Sequence, residues 1–354
     1  MSRETAAFTT TSPAETEWVT LLRDNTRAGG QGAPPIAPPS RARWQARIGG
    51  SIRSAPVLHG STLYAASLSG KLHAINVETG REKWNFAAPK QIYSTPSRFQ
   101  EKVLFGCDDG KVYAVHQDSG AKLWAASTGG EVWASPVICQ GTAYFGSADG
   151  HFYAADAGTG KLRWKQALGG RVYSTAYAAE KSIYVGCGDG HAHSLNAATG
   201  KIQWSVLTGN GIDSSPALVG GTVLFGSEDF FVYALDANSG TVLWKYETGL
   251  GISSSPAVAD DVVYVGSKDG FLYALAVQTG KLKWKTRAGE VITAPPVFSE
   301  GVVYVQSWGT MALDAATGKL LWRAELGGSV QGAPVIGEGV VYVAGNGGEV
   351  YALE

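Results

Sequence analysis

The sequence predicts an all-β fold: an eight-bladed β-propeller of four-stranded antiparallel blades. Three observations carry that expectation. First, one segment recurs down the chain. It reads AINVETGREKW at 74–84, AVHQDSGAKLW at 114–124, AADAGTGKLRW at 154–164 and SLNAATGKIQW at 194–204, then ALDANSGTVLW, ALAVQTGKLKW and ALDAATGKLLW ending at Trp244, Trp284 and Trp322. Second, the tryptophans from Trp44 to Trp284 stand 40 residues apart, and Trp322 follows after 38. A period of about 40 residues with several short strands per unit marks a propeller. Third, the last repeat stops at Tyr351-Ala-Leu-Glu354 with three strands, whereas an unpaired strand around Trp44 precedes the first repeat.

Residues 1–39 differ in composition from the rest. Thr9 to Ser12 is a polar run, and Glu15 to Arg27 has helical spacing of Trp18, Leu21 and Leu22 on one face. Gly29 and Gly30 would stop that helix, and Pro34, Pro35, Pro38 and Pro39 read as a stiff linker. The expectation is an N-terminal extension whose Trp18 and Leu22 cap the propeller, followed by a propeller over 40–354. In the third repeat, taken as the pattern, an inner strand begins at Trp133-Ala-Ser-Pro-Val-Ile and a second strand is Thr142-Ala-Tyr-Phe-Gly. The third strand is Phe152-Tyr-Ala-Ala and the outer one Lys161-Leu-Arg-Trp. Asp149-Gly150 between the apolar runs reads as a hairpin turn, repeated at Asp109-Gly110, Asp189-Gly190 and Asp269-Gly270.

The alanine, glycine and tryptophan spacing has a mechanical reason. Alanine leaves room for a neighbouring ring, glycine permits the turn, and tryptophan fills the slot between adjacent sheets. Each such ring buries about 150–250 Å², several kcal/mol at about 25 cal/mol/Å² before entropy is charged. These tryptophans are therefore framework. The strand from Arg41 to Ile48 is expected to complete the last blade, joining the ring and removing open edges.

The net charge of −1 gives no basic footprint for nucleic acid. Although 44% of residues are apolar, no run approaches the ~18 residues of a membrane-spanning helix. Cys107 and Cys187 hold the same slot two repeats apart, where other repeats have serine; the third cysteine is Cys139. Three cysteines without framework spacing fit a reducing compartment. No basic-then-apolar segment opens the chain, so a cytoplasmic location is expected, with a periplasmic or extracellular one if a signal has been removed.

Framework and variable positions separate by comparing the repeats. Two residues before the small-residue–proline pair stand Arg53, Tyr93, Trp133, Tyr173, Asp213, Ser253, Thr293 and Gln331, expected to ring the mouth of the central channel. Three aromatics on consecutive blades, flanked by Arg53 and Asp213, suit a peptide or a flat ligand; the alternative is a channel plugged by its own side chains. Two hairpins of the same face break the pattern: Phe230 replaces the glycine after Asp229, and Ser307-Trp308-Gly309 is two residues shorter. Phe230 and Trp308 either extend an apolar patch or fold over the rim. His73 and His193 occupy a slot that is tyrosine elsewhere and read as core. His151 and His191 sit at equivalent sites of neighbouring blades with no third ligand in view, so no metal site is expected. The run Gly186-Cys-Gly-Asp-Gly190 lacks the following helix of a phosphate loop, and no G-x-S-x-G element is present. No catalytic residue is assigned.

The repeated A-x-D-x-x-T-G-x-x-x-W pattern, with G-S-x-D-G and S-S-P between, resembles the PQQ-like (quinoprotein-type) β-propeller repeat family over residues 41–354, in its BamB-like, non-catalytic branch. The resemblance implies a propeller whose mouth binds a protein or peptide partner, acting as a monomeric scaffold without a cofactor. Two other functions belong to the same fold. One is a dehydrogenase dependent on pyrroloquinoline quinone, with Arg53, Trp133 and Asp213 as clamp, stacking ring and base. Against it stand the lack of a Cys-Cys pair and of a haem-attachment C-x-x-C-H. The other is a small-molecule sensor.

Overall fold

The computed structural model describes residues 42–326, 331–337 and 339–354. The expected helix and linker of residues 1–39, with Trp18 and Leu22, lie outside them. The described chain forms eight four-stranded antiparallel sheets. Blades 1 to 7 are contiguous in sequence: 57–87, 97–127, 137–167, 177–207, 217–247, 257–287 and 297–325. Blade 8 takes its three inner strands from 335–353 and its outer strand from Ala42–Arg47. In that seam Trp44 pairs with Ala352 and Gln45 with Tyr351. Closure by the strand Ala42–Arg47 is therefore as the sequence implies, with the first and last described strands sharing one sheet.

The spacing of tryptophan and glycine acts between blades rather than within them. Gly160, at φ +73°, lies on the Trp124 ring of the preceding blade, and a Cβ there would stand 2.5 Å from it. Gly80, Gly120, Gly200, Gly240, Gly280 and Gly318 face the preceding tryptophan in the same way. The indole N–H of Trp84 donates to the Gln117 carbonyl, that of Trp164 to Ala197 and that of Trp204 to Ala237. Tyr64, Tyr144 and Tyr184 hydroxyls donate to those same three carbonyls. Aliphatic slots between sheets complete the core; one holds Val137, Tyr144 and Phe152 of blade 3 against Val172, Ile183 and Val185 of blade 4.

The inner strands are shorter than expected. In blade 3 the strand is Val137–Cys139, and Trp133 to Pro136 precede it as loop. Proline has no N–H for a ladder, and the chain uses the segment differently. The Ala55 N–H donates to Thr95 Oγ1, Thr95 to Ser135 Oγ, Ser135 to Thr175 Oγ1, Thr175 to Ser215 Oγ and Ser215 to Ser255 Oγ. A belt of hydroxyls thus stitches blades 1 to 6 together, one bond between each consecutive pair. Pro295, Ala333 and Ala55 hold the same position in blades 7, 8 and 1 and carry no hydroxyl.

The Asp-Gly hairpins form, but with a wider turn than a two-residue one. Between Thr142–Gly146 and His151–Asp156 the Gly150 N–H donates to the Ser147 carbonyl, and the Ser147 N–H to the His151 carbonyl. Gly150 has positive φ (81°), whereas Asp149 does not. The aspartate is kept for its carboxylate. Asp149 accepts from the Tyr153 hydroxyl and from the backbone N–H groups of His151 and Gly129. It thereby ties the hairpin of blade 3 to the loop that arrives from the preceding blade.

Candidate functional site

Antiparallel order puts two kinds of connection on one face of the ring: the second-to-third-strand hairpins and the loops between outer strands and the next inner strands. The positions from Arg53 to Gln331 lie on those loops, one per blade. All are partly accessible, and Arg53 is exposed.

The three aromatics are brought together more tightly than spacing alone conveys. Tyr93 and Trp133 stack with centroids 4.5 Å apart at 27°, and Trp133 and Tyr173 at 4.3 Å and 16°. A guanidinium caps each end, Arg53 over Tyr93 at 5.9 Å and Arg171 over Tyr173 at 5.2 Å. The indole N–H of Trp133 is held by Asp108 Oδ1 at 2.7 Å, and the Tyr93 hydroxyl donates to Gln91 Oε1. Trp133 therefore has both faces covered, and the ladder offers ring edges rather than an open stacking slot. Asp108 escaped the sequence comparison because its partner lies on the next blade, and Arg171 and Gln91 because side-chain direction within a loop is not visible in the repeat.

Charge takes over on the next blades. Asp213 follows Tyr173 on blade 5, and Glu228 of that blade pairs with Lys268 of blade 6 at 2.6 Å. Burial raises the Asp213 carboxyl above its ordinary range; Glu228 adds to this, while Arg171 and Lys268 oppose it. Ser253, Thr293 and Gln331 continue the ring as uncharged polar positions of blades 6, 7 and 8.

The two aberrant hairpins both present their side chains to solvent. Phe230 is 42% exposed and Trp308 is 56% exposed. Leu207, Leu250 and Val291 on the same face are exposed as well, so apolar side chains stand out on blades 4 to 7. Phe230 has φ +80°, the left-handed region that Gly110, Gly150, Gly190 and Gly270 occupy at the same turn position. Its carbonyl still accepts from the Thr248 N–H and hydroxyl, as the fold requires. A phenylalanine has been accommodated where the framework calls for glycine.

Among the histidines, His73 and His193 are buried as expected. Burial lowers the pKa of His73, against the pull of Glu82, whose carboxylate meets its Nδ1. Blade 4 departs from the expectation that the histidines lack further ligand atoms near them. Its hairpin places ligand atoms of Cys187, Asp189 and His193 all within 4.8 Å of one another. Burial pushes the Cys187 thiol up to about 11 and His193 down to about 4. None of the three cysteines forms a disulfide.

Fold and mouth together define a closed propeller of eight tryptophan-docked blades with one differentiated face. The chain belongs to the family described as outer membrane protein assembly factor BamB, whose model matches residues 36–128, 108–248, 228–311 and 309–354. No curated protein matches the chain in sequence. Among solved structures it is similar to BamB from Moraxella catarrhalis, at 19% identity and a TM-score of 0.76, covering 89% of this chain and 99% of that one. It is also similar to a quinohemoprotein alcohol dehydrogenase from Comamonas testosteroni, at 15% identity and a TM-score of 0.80, covering 95% and 80%. A computationally designed protein, Ika8, superposes with a TM-score of 0.77 at 18% identity, covering 87% and 98%. At these identities the likenesses show the fold alone. Among the described residues no helix is long and apolar enough to cross a membrane.

Proposed function

We propose that this propeller is a non-catalytic scaffold that recognises a protein or peptide partner with its mouth face. The observation that carries this reading is Phe230. A non-glycine residue in the left-handed region costs about 1–2 kcal/mol, and a position held under strain is a reasonable starting point for a functional hypothesis. Here the strain holds an apolar ring in solvent, on the face where Trp308, Leu207, Leu250 and Val291 are also exposed. Exposed apolar side chains gathered on one face suit protein contact. The ladder of Tyr93, Trp133 and Tyr173, with Arg53 and Asp213 at its flanks, supplies rigid aromatic edges and charge beside them, and Gln331 adds a polar contact.

A quinone cofactor does not fit this mouth. A flat ring needs a free aromatic face, and the two faces of Trp133 are taken by Tyr93 and Tyr173.

The test separates binding from stability. Phe230→Gly puts back the residue used by six other blades, so the variant is expected to gain up to about 1 kcal/mol in urea unfolding while recovering several-fold less partner in affinity capture from the native source. Equal recovery by Phe230→Gly, and by a Tyr93, Trp133, Tyr173 triple alanine variant, would overturn the proposal.

A further inference from the structure

The hairpin of blade 4 is the place where the repeated network between blades changes its chemistry. Blades 3, 5 and 6 build the slot from Ser147, Asp149 and Tyr153, from Ser227, Asp229 and Tyr233, and from Ser267, Asp269 and Tyr273. In each, the tyrosine hydroxyl donates to the aspartate Oδ2. Blade 4 keeps the aspartate, as Asp189, but has Cys187 for the serine and His193 for the tyrosine. A hydroxyl pair has become a thiol and an imidazole around an unchanged carboxylate, which is a change from hydrogen-bonding groups to metal ligands.

Three further observations point the same way. His193 is only 4% exposed, and its Nε2 has no hydrogen-bond partner. Its other nitrogen, Nδ1, lies 2.7 Å from Ser205 Oγ on the adjoining outer strand. A proton on Nδ1, donated to Ser205, fixes the tautomer that leaves the Nε2 lone pair free, the outer arrangement that a ligating histidine needs. The residue opposite the tyrosine is Lys165 in blade 3, Lys245 in blade 5 and Lys285 in blade 6, but Ser205 in blade 4. The ammonium group that stands opposite this slot in blades 3, 5 and 6, and that would repel a cation, is thus replaced in blade 4. Finally, the His191 ring stacks on His193 at 5.6 Å, with its Nδ1 3.3 Å from Asp189 Oδ2 but not hydrogen-bonded to it.

We propose that Cys187, Asp189 and His193 form a binding site for a divalent transition metal, zinc by preference, with His191 or a water in the fourth position. Zinc takes sulfur, nitrogen and oxygen ligands together in tetrahedral geometry at about 2.0–2.3 Å. Those bond lengths set ligand atoms about 3.5 Å apart, so the present cluster, within 4.8 Å, closes by side-chain adjustment alone. Coordination takes the Cys187 sulfur as thiolate, its proton passing to solvent, and the His193 Nε2 as a neutral donor. The bound ion would clamp the hairpin of blade 4 beside Tyr173, at one end of the aromatic ladder.

The chain itself supplies a control that keeps the fold. Cys187→Ser with His193→Tyr restores the residues of blades 3, 5 and 6, and Ser205→Lys can be added to restore the opposite position. The full-length protein is stripped with a chelator, then titrated with zinc sulfate or, separately, with cobalt(II) chloride. The expected results are about one metal per chain by elemental analysis, a thiolate-to-cobalt charge-transfer band, and a raised Tm with zinc. In the double variant the circular dichroism and the metal-free Tm are retained, while the band and the zinc-dependent Tm shift are lost. Failure of the native chain to give the band and the Tm shift overturns the proposal, as does their persistence in the double variant.

Discussion

Gly160 is where the repeat is most sensitive to one atom. Its φ of +73° and the Trp124 ring 2.5 Å from any added Cβ leave no room on either count. Gly160→Ala is expected to lose about 2–4 kcal/mol, the sum of left-handed strain and overpacking, read as a lower urea midpoint. Asp149 carries a different load. Burial pushes its carboxyl up, yet the Tyr153 hydroxyl and the His151 and Gly129 N–H groups outweigh that and hold it below the ordinary carboxylate range. A depressed folded pKa contributes stability that is present above the unfolded value of about 4 and is lost as pH falls through the folded one. Asp149→Asn should therefore cost about 1–3 kcal/mol near neutral pH and show a flatter loss of stability below pH about 4. A variant as acid-sensitive as the parent would contradict this. The turn role of Asp149 was legible from Asp-Gly in the sequence, but its three hydrogen bonds were not. Its partners include Gly129, on a loop from the preceding blade, and nothing in the sequence gives the direction of a carboxylate.

At the scale of the strand and its loop, the segment before each inner strand is the least regular and the most informative. The S-S-P signature reads as the start of a strand, yet the structure uses it as an inter-blade belt, in blade 4 as well, where Ala176 stands in place of the proline. Thr175 stands in the middle of that belt, accepting from Ser135 N–H and donating its own N–H to Ser215. Thr175→Val keeps the shape but leaves the Ser135 N–H buried without a partner, for an expected loss of about 1–3 kcal/mol by thermal or urea unfolding. Thr175→Ser should lose much less. The same loops carry the mouth residues. That Tyr93, Trp133 and Tyr173 share a face followed from their common place in the repeat. That they stack on one another, leaving no face for a flat ligand, did not, because side-chain rotation about equivalent backbones is invisible to repeat comparison. His193 shows the same limit: its slot marked it as core, while Ser205, which sets its tautomer, becomes its neighbour through strand pairing.

For the whole molecule, eight sheets and their closure were legible because a ring of identical slots forces identical spacing. Each tryptophan bridges its own blade and the next, so the pattern holds until the N-terminal strand supplies Trp44 to the last sheet. Departures from that pattern collect on one face, in Phe230, Trp308, the aromatic ladder and the blade 4 hairpin. The opposite face keeps the Thr/Ser-Gly turns that carry the framework, with His116 and Ala276 at the position that is Asp or Asn in blades 1, 3, 4, 5 and 7; at Asp156-Ala-Gly-Thr159-Gly160 the Asp156 carboxylate binds the Thr159 N–H and hydroxyl. Recognition by the differentiated face is the central claim, and site-specific photo-crosslinking tests it most directly. A photoreactive amino acid placed at Phe230 or Trp308 on the mouth face, and at Ser239 on the opposite face, is activated in extracts of the native source. Adducts to one partner from positions 230 and 308, with none from 239, are the predicted result; adducts from 239 alone, or from no position on the mouth, would contradict it.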